Sequence, residues 1–204
     1  LKQKNLEPVV NAIIIAEPRL MAALGRGLPA YRWGLAWQLI TRSASTASLV
    51  ALTPLPFVDF IPLVALQVSL ILGIARIYNY RLTVARAREA LSVFGAGFLA
   101  RTLFYELAKL GGPPAWLLAA AVAAGTTVAL GYAAILWFER GEQLSREATA
   151  KVARIVSDHL LEGLKGLGRR KPSRRRLSER VREALEKSPL ARDRSELDAV
   201  AGAE

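Results

Sequence analysis

Residues 44–75 form an apolar run of 32 residues with one charge, Asp59. A run this long and this pure is read as membrane-embedded before it is read as core. It also holds Pro54, Pro56 and Pro62. Each proline removes a backbone donor and crowds the preceding turn, so one straight helix is excluded. The run is therefore expected to be a helical hairpin. Ala44 to Thr53 would run in, Leu63 to Ala75 would run out, and Asp59 would sit at the bend. Arms of this length fall short of the roughly 20 residues a span needs, so a re-entrant hairpin fits as well as a crossing one.

Composition sharpens this picture through charge. The chain carries a net charge of +11 and a pI of about 10.5, yet its middle is almost chargeless. Basic flanks around apolar segments are the pattern of helices held between cytoplasmic ends. Nucleic acid is the other partner a basic pI suggests. No aromatic–basic interleaving or nucleic-acid motif accompanies the charge here, so nucleic acid is an unlikely partner. With no cysteine there is no disulfide framework or thiolate metal site, and His159 is the one histidine. No cofactor is expected. The chain begins at Leu1, which is read as a fragment or a processed product.

Taken in order, four parts are expected. Residues 1–43 read as an amphipathic helical segment, with Leu6, Val9, Val10, Ile13 and Ile14 at helical spacing and breaks at Pro18 and Pro29. This segment either packs on the rest of the domain or lies in a membrane interface. Tyr31, Trp33 and Trp37 beside Arg32 and Arg42 read as an interfacial belt. Residues 44–140 hold two apolar hairpins. The second comprises Leu91 to Leu110 and Ala115 to Phe138, joined at Gly111-Gly112-Pro113-Pro114. Ala115 to Phe138 is 24 residues without a charge and is the best candidate span. Residues 141–168 read as an amphipathic helix, and 169–204 as a basic tail that can form a short helix around Leu177, Val181 and Leu185 and is mobile after Pro189. The fold class is all-α, with membrane-embedded or re-entrant hairpins flanked by amphipathic helices.

Two sets of candidate site residues follow. Asp59, Gln67, Arg101 and Glu106 are the polar groups inside apolar segments, where such groups are costly and mark ion paths, partners or caps. Capping or a headgroup position suits Asp59 best. Arg169, Arg170, Lys171, Arg174, Arg175 and Arg176 form a basic patch suited to anionic lipid. Basic loops stay inside, which places both termini in the cytoplasm and the domain in the inner membrane.

Pro54-Leu55-Pro56-Phe57-Val58-Asp59, Ala65-Leu66-Gln67, Ile74-Ala75-Arg76-Ile77-Tyr78 and Phe94-Gly95-Ala96-Gly97, in this order, resemble the bacterial YcjF-like domain of unknown function. The resemblance covers about residues 40–140. It implies a membrane-associated helical domain, often fused behind an Era-like GTPase. This chain has no Gly-x-x-x-x-Gly-Lys-Ser/Thr phosphate loop, so any GTPase lies upstream or on a separate protein. The expected function is a non-enzymatic membrane domain that anchors or responds to a GTPase in cis or in trans. The alternatives are an oligomeric channel or transporter subunit and a soluble helical module bound peripherally to membrane. An enzyme is the least supported class, because no catalytic constellation is present.

Overall fold

Ala115–Arg140 is the axis around which the domain is built. The computed structural model describes residues 6–52, 60–85, 87, 103, 104, 107, 113–168, 170, 172–188, 191 and 195–202. Every regular element among them is a helix. In chain order these are α1 (Glu7–Ala16), α2 (Met21–Gly27), α3 (Arg32–Val50), α4 (Phe60–Ile77), α5 (Ala115–Arg140), α6 (Arg146–Leu164), α7 (Arg174–Lys187) and α8 (Ser195–Ala201). Short 3-10 turns open at Pro18, Pro29 and Lys165. The all-α reading holds.

Local chemistry sets the limits of α5. Pro114 precedes its first turn in an extended conformation, and Gly141 closes it at φ 75°, donating its N–H to the Trp137 carbonyl at 3.0 Å. That left-handed geometry suits glycine. The interior is rich in alanine, the strongest helix former. Every residue from Ala120 to Leu136 is buried, because α3, α4 and α6 surround the helix. Small residues let them come close. A Cβ at Gly131 would lie 2.5 Å from the Ile40 side chain of α3, and one at Gly125 would lie 2.2 Å from Ser157 Oγ of α6. A helix apolar on all sides suits a membrane span or a buried core equally. Here it is enclosed by its own chain.

The two helices on either side of the expected first bend are longer than the sequence suggests. α3 spans 19 residues and α4 spans 18. α3 passes without a break through Arg42 and the expected boundary at residues 43 and 44. Its polar middle does not end it, because the hydroxyls satisfy themselves locally. Ser45 Oγ donates to the Thr41 carbonyl at 2.9 Å, and Ser48 Oγ to the Ser45 carbonyl at 2.7 Å. Such back-bonding lets serine sit inside a buried helix. The bend, with Pro54, Pro56 and Asp59, lies outside the described residues, as does the incoming arm of the second hairpin apart from Leu103, Phe104 and Leu107.

Thr41 is different. Its hydroxyl is buried with no hydrogen-bond partner among the described residues, as is the Trp37 indole N–H one turn earlier. A buried unsatisfied hydroxyl costs about 1–3 kcal/mol. Thr41→Val keeps the shape and removes the orphan, so it should stabilise the domain by about 1 kcal/mol. Urea unfolding checks this as a raised midpoint at unchanged slope.

The short helix expected around Leu177, Val181 and Leu185 is present, and a second helix follows where a mobile tail was expected. α7 turns Leu177, Val181 and Leu185 onto α3 and α6, and each is fully buried. α8 lies on α6 with Leu197 fully buried. Asp198 fastens it to α5, accepting from the Tyr132 hydroxyl and pairing with Arg140 Nη2 at 3.0 Å.

Candidate functional site

Helix direction decides which charges meet. Ser157 Oγ of α6 faces the Ala121 carbonyl of α5 at 3.4 Å, and Ala153 lies against Gly125. The two helices are therefore antiparallel. α7 turns back along α6, with Gly166 near Arg180 and Gly163 near Ala184. The start of α7, with Arg174, thus lies at the end of the bundle where α5 begins. Arg140 lies at the other end. Arg76 joins it there, because the C-terminal end of α4 reaches the last turn of α5 through Tyr80, whose ring lies 4.9 Å from that of Phe138.

Of the predicted polar set, only Gln67 falls among the described residues. It is 4% exposed, on the stripe of α4 that also carries Leu70, Ile71 and Ile74. Asp59, Arg101 and Glu106 lie outside the described residues, so no polar path can be traced. Of the basic set, Arg169 and Lys171 also lie outside. Arg170, Arg174, Arg175 and Arg176 are exposed, the last three in the first turn of α7, where Ser173 caps the helix by accepting from the Arg176 N–H at 3.3 Å. Glutamates partly neutralise this helix. Arg175 pairs with Glu179 at 2.8 Å, which holds its guanidinium above the ordinary arginine value. Hydrogen bonds from Lys187 and Arg180 hold the Glu183 carboxyl below the ordinary value. As a lipid-binding patch, α7 is thus weaker than its arginine count suggests.

The expected belt of Tyr31, Trp33 and Trp37 is corrected for its tryptophans. Trp33 and Trp37, one turn apart on α3, stack with ring centroids 5.6 Å apart, and Trp37 is 4% exposed. Trp33 stands edge-on to Tyr132 of α5 at 6.4 Å and donates its indole N–H to the Ala191 carbonyl at 3.3 Å. These rings pack inward because α1 and the C-terminal segment close over them. His159 is exposed, with Nε2 3.3 Å from the Ala184 carbonyl. No group of three or more metal-ligating side chains occurs among the described residues.

What these elements enclose is a cleft of about 700 Å³ between α1, the first half of α3 and the end of α7. A volume of this order suits a small ligand. α1 forms one wall and is pinned twice to α3. The Leu6 N–H donates to the Tyr31 hydroxyl at 2.8 Å, and Gln38 Nε2 donates to Asn11 Oδ1 at 2.6 Å. Trp33, Trp37 and Leu35 line the α3 side, and Arg182 and Glu186 of α7, paired at 2.6 Å, stand opposite. The outer surface of α1 is the other unusual feature. Val9 is 56% exposed, Ile15 is 74% exposed and Leu20, just beyond, is 43% exposed. The spacing of Asn11 and Gln38 carries no signal of their pairing, so the sequence hides the cleft.

No curated protein and no solved structure matches the chain. A family model does match, from Arg19 to Lys165. That span takes in α2 through α6 and leaves out α1, α7 and α8. The chain belongs to this family, which is described as a domain of unknown function, DUF697.

Proposed function

We propose that the chain is a non-enzymatic helical domain that rests on a membrane surface and works with a GTPase supplied in cis or in trans. The observation that carries the membrane part is that Val9, Ile15 and Leu20, three large apolar side chains near the N-terminus, are left in water while α5 is enclosed. Arg19, next to Leu20, is exposed, as is Arg26. Apolar side chains flanked by arginine are the chemistry of a helix lying in the headgroup layer. Each such arginine adds roughly 1 kcal/mol near anionic lipid. The GTPase part rests on the resemblance to YcjF-like domains.

A surface position suits this fold better than a crossing by α5. Glu147, Lys151, Arg154, Asp158 and Glu162 are exposed along α6, which lies against α5. Charges at that height would enter hydrocarbon if α5 crossed, at a cost of about 2.5–3.5 kcal/mol each for arginine or lysine even on insertion scales. The channel reading gains no support from Gln67, which sits in the core stripe of α4.

Flotation with vesicles containing anionic phosphatidylglycerol tests the reading. Wild-type chain should float, and Ile15→Asp with Leu20→Asp should weaken binding at least tenfold while circular dichroism stays unchanged. Equal flotation of both proteins, or a wild-type chain that stays at the bottom and self-associates through α1, would overturn it.

A further inference from the structure

The cleft behind α1 is polarised along α3. Tyr31 and Arg42 mark its two ends, about 16 Å apart at the rise of an α-helix. Between them stand the stacked Trp33 and Trp37 with Val10, and the Asn11–Gln38 and Arg182–Glu186 pairs line the same space. The carboxylates are disposed unevenly. Glu7 follows Leu6, whose N–H meets Tyr31, so it stands at the Tyr31 end. Glu186 is committed to Arg182 at 2.6 Å. Arg42 is half-buried, lines the cleft and forms no ion pair with any described residue. Gln38, one turn before it, is held by Asn11. A guanidinium without an ion pair among the described residues, beside two stacked indole rings, asks for an anion that carries an apolar body.

We propose that this cleft is a binding site for a single-chain amphiphile with an anionic head group, carboxylate or phosphate, set against Arg42 with the tail along Trp33, Trp37 and Val10. Ile15 lines the cleft and is also exposed on α1, so the two readings are separated by Gly34 and Arg42, which line the cleft and are no part of the exposed apolar set.

Calorimetric titration of the full chain with decanoate and decyl phosphate, each below micelle formation, tests the proposal. The two arms separate a fatty-acid head from a phosphate head. Saturable binding of at least one is expected, with decyltrimethylammonium and decyl maltoside at least tenfold weaker. Arg42→Gln should weaken binding about tenfold, and Arg42→Lys should retain most of the affinity. Gly34→Leu should weaken binding at least tenfold by filling the mouth. Gly34 lines the cleft, and a Cβ there meets nothing within 4 Å; an unchanged circular dichroism spectrum and unfolding midpoint check that this variant keeps the fold. Neither Gly34→Leu nor Arg42→Lys should alter vesicle flotation. Binding that does not saturate, equal affinity for the cationic amphiphile, or wild-type affinity in either Arg42→Gln or Gly34→Leu would overturn the assignment. Loss of flotation with intact amphiphile binding would instead count against the membrane reading alone.

Discussion

Gly125→Ala is expected to destabilise the domain by about 3 kcal/mol, the upper part of the range for overpacking a tight core. The reason lies in what one methyl group would meet. It would stand 2.2 Å from Ser157 Oγ, 2.9 Å from the Ala153 carbonyl oxygen and 3.0 Å from the Ser157 backbone nitrogen. The hydroxyl can rotate away, but the backbone of α6 cannot move without opening its packing on α5. Gly125→Ala with Ser157→Ala should therefore recover only part of the loss. Gly34→Ala serves as the control, since open space lies around that position and alanine favours the helix by about 1 kcal/mol. Chemical denaturation of the variants measures all of these effects. A Gly125→Ala domain as stable as wild type would mean that α5 and α6 do not pack as described.

Val181→Asp is expected to cost about 3–4 kcal/mol, because it buries a carboxylate with no cation to meet it. Val181 is fully buried between Leu177 and Leu185 on the inner face of α7. Its exposed neighbour Arg176 gives the contrast, and Arg176→Ala should change stability by no more than about 0.5 kcal/mol. Thermal unfolding followed by circular dichroism reads both. A tail would tolerate aspartate at residue 181 without effect, so a silent Val181→Asp would contradict the packed C-terminal stretch.

Much of this architecture was legible in the sequence. Pro18 and Pro29 mark element boundaries because proline lacks a donor, and that effect needs no tertiary context. The start of α5 at Ala115 follows from Pro113-Pro114 in the same way. What surrounds an apolar surface was not legible. Leu177, Val181 and Leu185 have helical spacing, and α5 is apolar on every face, but periodicity says only that a surface leaves water. Whether lipid or protein receives it is a tertiary fact. Trp33 and Trp37 beside arginines suited a belt until α1 and Ala191 were seen to close over them. The cleft depends on Asn11 meeting Gln38, and Arg42 reads as a flanking charge until it is seen to line the cleft without a carboxylate partner among the described residues. Asp59, Arg101 and Glu106 were the natural residues to single out, because a charge in an apolar run is conspicuous, but they lie outside the described residues.

The central claim is that α1 meets the membrane and α6 does not. The chain has no cysteine, so single cysteines at residues 15 and 154 give two clean reporters. Labelling of each by a water-soluble maleimide should be followed with and without anionic vesicles. The account predicts that Ile15→Cys becomes protected on vesicle binding, while Arg154→Cys, on the charged face of α6, labels at the same rate in both conditions. Protection at residue 154, with residue 15 still labelled freely, would mean that the bundle opens to place α5 across the bilayer, and would contradict the account.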